Sequence, residues 1–231
     1  MPRLLNILIL LATLFAIQQL NAKSMWKPQL GPAPFPIQVK VIRMMGDGCP
    51  QGSVSAALTP DQTTVSILFD QLLTDVPAAS SGPTMGRKSC SVTLDVKFAG
   101  QYRVAVVGSD INGFVHVPAG GNSKISVKHW SMFDMGGRNA AKMNIDRNFT
   151  GPIEENVQML TRFSDVPMWS YCGTQMRNNM VLPFMTINIE LTSSNQNPAE
   201  NLLAAIDSLD FTTSGLAYHL AWTEDRKSCP K

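Results

Sequence analysis

Charge, histidine and cysteine are all scarce in this chain of 231 residues: 16% of it is charged, and it holds 3 histidines and 4 cysteines. With 19 Lys and Arg against 17 Asp and Glu, the formal net charge is +2. That lacks the basic footprint of a nucleic-acid binder. The short pairs Arg87–Lys88 and Arg226–Lys227 read as solvated turn residues. No G-x-S-x-G, H-E-x-x-H or phosphate-binding glycine loop occurs, so the signatures of serine hydrolases, zinc proteases and nucleotide enzymes are missing. After residue 22 no segment approaches 18 consecutive apolar residues, so residues 23–231 hold no candidate membrane-spanning helix.

The scarcity of histidine narrows the chemistry further. Any histidine-dependent mechanism must use His116, His129 or His219. Each stands in an alternating run (FVHV, KISVKHW, LAYHLAW) and reads as a surface strand residue. A three-histidine metal site in a cupin-like jelly roll would carry a local H-x-H or His–Glu spacing, and neither occurs. Asp110-Ile111-Asn112-Gly113 begins like a calcium loop, yet the twelfth position is Gly121 where a bidentate Glu is required. Asn-Gly is a favoured hairpin pair, so Asp110–Gly113 is expected to be a turn. No metal and no cofactor is expected.

The carboxylates Asp70, Asp75, Asp95, Glu154 and Glu155 are scattered. Two of them would have to converge in the fold to act as a glycosidase pair. Trp130, Trp169 and Trp222 lie in strand-like contexts and are assigned to core packing. An exposed aromatic stacking on a sugar ring is the alternative. The 13 methionines are read as core filler.

The first residues supply a compartment. Arg3 precedes the apolar run Leu4–Ile17, and a small residue follows at Ala22. A basic start, an apolar stretch too short for a bilayer and a small-residue exit describe a secretory signal peptide over 1–22. Residues 23–36 are rich in proline and form an extended N-terminal arm. Residues 37–231 suit one β-sandwich domain. The protein is thus expected to be extracellular, with no membrane span after cleavage and no nucleic-acid partner.

In that compartment Cys49, Cys90, Cys172 and Cys229 are expected to form two disulfides. A four-cysteine zinc site would need close pairs, and no two of these lie nearer than 41 positions. Three pairings remain open. Asn148-Phe149-Thr150 is a glycosylation sequon, which marks Asn148 as a surface glycoprotein site in a eukaryotic secretory pathway.

Period-two alternation dominates the rest. Runs such as Ile37–Val41, Ser53–Leu58, Thr64–Asp70, Ser91–Phe98, Tyr102–Val107, Phe114–Val117, Lys124–Trp130, Asn156–Phe163, Thr186–Leu191 and Leu216–Trp222 read as half-buried strands. Turn clusters at Thr59–Gln62, Ala78–Pro83 and Pro118–Ser123 separate them. The fold class is all-β, an antiparallel β-sandwich (jelly-roll-like) stapled by two disulfides. Pro198–Asp210 reads either as a short helix with Pro198 in its first turn or as a loop followed by a strand.

Four separated motifs carry a family resemblance. GDGCPQGSVSAALTPDQTTVSILFD (Gly46–Asp70) is followed by RKSCSVTLDVKF (Arg87–Phe98), WSYCG (Trp169–Gly173) and YHLAWTEDRKSC (Tyr218–Cys229). Together these resemble the secreted family called domain of unknown function 4360. Tyr171 stands where that family usually has proline, and NQNPAENLLAAIDS is longer than its usual loop. The resemblance implies a secreted, disulfide-bonded β-sandwich with no established activity, so it transfers no catalytic residue. It also implies the pairings Cys49–Cys90 and Cys172–Cys229. A staple enclosing about 40 residues stabilises by roughly 3–4 kcal/mol in the chain-entropy account.

The expected function is that of a non-enzymatic secreted protein of unknown activity that binds cell-surface or matrix carbohydrate. An extracellular hydrolase using paired carboxylates, or an effector or inhibitor binding a partner protein through an apolar patch, are the alternatives.

Overall fold

A computed structural model of the chain describes residues 28–79, 84–131, 142–162, 168–170, 172, 185–206, 215–225 and 229. The expected signal peptide lies outside them. The strands, in chain order, are β1 (Gln29–Leu30), β2 (Gln38–Met45), β3 (Val54–Leu58), β4 (Thr64–Phe69), β5 (Leu73–Val76), β6 (Thr84–Lys97) and β7 (Tyr102–Val117). They continue with β8 (Asn122–Ser131), β9 (Lys142–Thr150), β10 (Ile153–Arg162), β11 (Met168–Trp169), β12 (Met185–Asn195), β13 (Leu202–Ala205) and β14 (Leu216–Glu224). No helix occurs among the described residues.

Two antiparallel sheets result. The larger, of nine strands, runs β3-β4-β14-β7-β13-β5, with β1 added to β14 and with β10 and β11 added to β7. The smaller runs β2-β6-β12-β8-β9. Alternation drives the arrangement, because successive side chains of a strand point to opposite faces. In β12 every second residue is buried, from Met185 through Ile187, Ile189 and Leu191. These meet Ile67, Phe69, Ile111 and Leu216 in one apolar core between the sheets.

Several expectations change on contact with this arrangement. Asp110–Gly113 is not a turn but the middle of the 16-residue β7. Here β7 passes from one partner to another along one edge. It pairs with β14 up to Ile111 and with β13 from Phe114 onward. A Cβ at Gly113 would collide with the Ala205 carbonyl, so glycine permits that close approach. Residues 202–205 form β13, so the loop-then-strand reading of Pro198–Asp210 holds over the described part, and 207–210 lie outside it.

The Pro-rich arm, described from residue 28, is docked onto the sheet. Gln29 and Leu30 pair with Trp222 and Ala221. Phe35 is buried and stacks on Tyr102 with centroids 4.1 Å apart.

His129 is the clearest reversal. It was assigned to the surface, yet it is completely buried, with its ring edge-on to Tyr218 at 5.4 Å. Parity within β8 explains this. Ile125, Val127 and His129 share one face, and Lys124, Ser126, Lys128 and Trp130 share the other. The aliphatic pair decides which face goes in, so His129 follows it and Trp130, assigned to the core, goes out half-buried.

Candidate functional site

The cysteines build the frame. Cys49 and Cys90 are bonded, with Cα atoms 5.3 Å apart. Cys172 and Cys229 are bonded at 5.4 Å. The glycine-rich turn before Cys49 lies flat against β6. Gly48 N–H donates to the Ser89 carbonyl at 2.9 Å, and Asp47 Oδ1 accepts from Ser89 N–H at 2.8 Å. That backbone hydrogen bond is the main cause holding the Asp47 carboxyl below its usual range. Gly46 sits at φ +125°, where a Cβ would run into the Ser89 carbonyl.

The second disulfide ties Cys172, beyond β11, to Cys229, whose N–H donates to the Asp225 carbonyl at 2.7 Å. Asp225 in turn forms a buried ion pair with Arg103, Nε to Oδ2 at 2.9 Å. Arg103 Nη1 also donates to the Ser170 carbonyl at 2.9 Å, and the Ser170 hydroxyl accepts from Val104 N–H at 3.0 Å.

Two histidines reach the outer face of the larger sheet. His219 Nε2 lies 2.7 Å from Asp110 Oδ2, Arg162 Nη1 lies 3.0 Å from Asp110 Oδ1, and His219 Nδ1 faces Thr64 Oγ1 at 3.5 Å. Burial pushes the Asp110 carboxyl up, but the hydrogen bonds from His219 and Arg162 outweigh it, leaving the carboxyl below its ordinary value. Arg162 folds over Gly108, which leaves it room: a Cβ there would stand 3.1 Å from Nη1.

His116 lies toward the other end of β7, where Nδ1 is 3.2 Å from Glu154 Oε2. It borders an open groove of about 630 Å³ lined by Asp75, Phe114, His116, Glu154, Glu200 and Asn201, among others. The groove follows from register. Leu203 of β13 stands opposite Asp75 on one side and His116 on the other, and Glu154 of β10 stands opposite His116. Residues Ala199–Asn201, just before β13, raise one wall. They are held by Asn197, whose Oδ1 accepts from Ala199 and Glu200 N–H at 2.8 and 3.1 Å.

Of the scattered carboxylates, Asp75 and Glu154 thus share one groove. Glu155 points the other way and pairs with Arg147 at 2.7 Å. Asp95 is buried on β6, opposite Lys40. Asp70 sits exposed just after β4. Sequence reading missed Phe114, Glu200 and Asn201, because the groove exists only once β5, β7, β10 and β13 stand side by side. Asn148 lies exposed on β9. Trp222 packs edge-on to Tyr102 at 5.9 Å, and its partly buried ring lies against the core. Among the described residues no cluster of three or more His, Cys, Asp and Glu is placed to hold a metal ion.

The outer face of the smaller sheet has a different character. It presents hydroxyls, amides and charges around Trp130. A hollow of about 310 Å³ there is lined by Trp130, Lys128, Asn188, Ser91, Ser126 and Glu190, among others.

A family model described as Domain of unknown function (DUF4360) matches residues 36–224. A relative from Arthroderma benhamiae named "Uncharacterized secreted protein" is 24% identical over 198 residues, which is 84% of this chain and 75% of that protein. A solved structure titled "Structure of infectious bursal disease virus Gx strain" is similar at 8% identity and a TM-score of 0.27. That match covers 82% of this chain, and the chain spans 36% of the other, a likeness too weak to bear on the fold.

Proposed function

This chain belongs to the DUF4360 family, and from its surface geometry we propose that it is a non-enzymatic extracellular protein that binds glycans in the groove over β5, β13, β7 and β10. The compartment accords with the name its relative carries. One observation carries the reading. An open groove of about 630 Å³ sets an aromatic face, Phe114, among carboxylates, an amide and an imidazole. Sugar rings offer an apolar C–H face and a rim of hydroxyls. An aromatic side chain covers the first, worth about 0.5–1.5 kcal/mol beyond burial in aromatic pairs. Asp75, Glu154, Glu200 and Asn201 accept or donate to the second.

Native gels containing soluble neutral or amino-sugar polymers (xylan, mannan, β-glucan, chito-oligosaccharide conjugates) test the reading. At least one polymer retards the protein, and Phe114→Ala weakens that retardation about tenfold, about 1.4 kcal/mol, while the melting temperature holds. If no polymer retards it, or Phe114→Ala retains full retardation, the groove is not a glycan site.

A second reading draws on the same groove, because Asp75 and Glu154 both line it. Hydrolysis by such a pair would release new reducing ends from the retained polymer, and Glu154→Gln would stop it without abolishing binding. Intact polymer after prolonged incubation leaves binding alone.

A further inference from the structure

We propose that the outer face of the smaller sheet is a second and separate binding site, which takes an acidic polysaccharide: sugar rings lie on Trp130, and uronate carboxylates meet Lys128 and Arg43. Register assembles the face. Arg43, Thr93, Thr186 and Trp130 stand in one row across β2, β6, β12 and β8. The adjoining row is Met45, Ser91, Asn188 and Lys128. Three strand spacings separate Arg43 from Trp130, about 14 Å, enough for more than one sugar ring.

Charge selects the occupant. On this face Arg87 pairs with Glu190 at 2.9 Å and Lys124 with Asp146 at 3.5 Å, while Lys40 and Lys97, toward the far end of β2 and β6, make no ion pair among the described residues. Arg43 and Lys128 make no ion pair among the described residues. Lys128 contributes only at a distance to the field at Asp146, whose carboxyl is held down first by the Ser126 hydroxyl. Two cations without contact partners therefore flank a half-buried indole and a floor of hydroxyls and an amide. Thr93 and Thr186 hydroxyls bond each other at 3.2 Å, which fixes that floor. A neutral polymer uses only the indole and hydroxyls, whereas a uronate polymer also forms charge-assisted hydrogen bonds to Lys128 and Arg43. The groove on the opposite sheet, with Asp75, Glu154 and Glu200, repels the same polymer. This site does not depend on the groove reading.

Native electrophoresis in gels containing polygalacturonate, with dextran sulfate as a charge control, tests the site. Polygalacturonate retards the protein, and added salt relieves the retardation. Trp130→Ala and the double variant Arg43→Ser/Lys128→Ser each weaken it about tenfold, and Phe114→Ala does not. Trp130→Phe retains most of it, which separates stacking from any loss of fold in Trp130→Ala. Absence of retardation overturns the proposal. So does retardation that survives both the Trp130 and the double variants, or that dextran sulfate reproduces independently of Trp130, because either is attraction to charge alone.

Discussion

Gly46 shows how one residue ties the amino-terminal staple to the sheet. Gly46 and Gly52 both sit at positive φ, but only Gly46 has a neighbouring carbonyl where a Cβ would go. Alanine at Gly52 therefore meets backbone strain alone, whereas alanine at Gly46 meets strain and must also lift the turn off β6. Gly46→Ala costs about 1–3 kcal/mol and exceeds the cost of Gly52→Ala, read as the difference in urea midpoints. Equal midpoints would sink that account. Asp110 gives a second expectation at this scale. Its carboxyl is lowered in the folded chain, so the stability it lends is present above the unfolded carboxylate value, about 3.9, and is lost as pH falls through the folded value. Thermal melting from pH 6 down to pH 2 shows a shallower acid decline in Asp110→Asn than in the parent. An identical acid limb in both would mean that His219 and Arg162 do not favour the ionised form.

Among the elements, β7 does most to organise the structure. It pairs with β14, β13, β10 and β11, and its first residues carry the buried Arg103. The Arg103–Asp225 pair holds the end of β14 against β7 where Ser170 and the Cys172–Cys229 bond close over them. Removing one partner leaves a charge buried, at about 3–5 kcal/mol, while replacing both by apolar residues removes that penalty. Arg103→Met and Asp225→Leu singly are thus more destabilising than the two together, which a double-mutant cycle by urea unfolding measures. Additive losses would show that the two side chains act independently. The sequence runs omit the short strands β1, β5 and β11 and one long strand, β9. Asn144, Asp146, Asn148 and Thr150 face solvent, and Arg147, reaching Glu155 in β10, breaks the inward apolar series. Met143, Ile145 and Phe149 keep one parity in the sequence, but the charged Arg147 in their midst interrupts the alternation. The longer runs were legible because their aliphatic residues keep one parity. Asp110–Gly113 misled because Asn-Gly signals a hairpin when read alone, and only the change of partner from β14 to β13 explains a glycine inside a strand.

For the molecule as a whole, the sandwich and its staples were legible, while the two candidate binding surfaces were not. Alternation says that a strand has two faces but not which face is inward, and His129 and Trp130 exchanged places on that ambiguity. The groove is less legible still, since Asp75, Phe114, Glu154 and Glu200 come from segments far apart in the chain and meet only through register. The two candidate surfaces also differ in lining: the groove on one sheet gathers Asp75, Glu154 and Glu200 around His116, while the hollow on the other sets Lys128 and Glu190 beside Trp130.

The placement of β14 has a bearing on how the chain is made. It lies between β4 and β7, so the β3–β4 hairpin joins the rest of the larger sheet through a strand that comes late in the sequence. Pairings over such separations must absorb loop-closure entropy before any contact rewards them. The larger sheet therefore stays open until residues 216–224 have emerged from the ribosome. Until that segment is available, β3 and β4 have no ladder that connects them to β7.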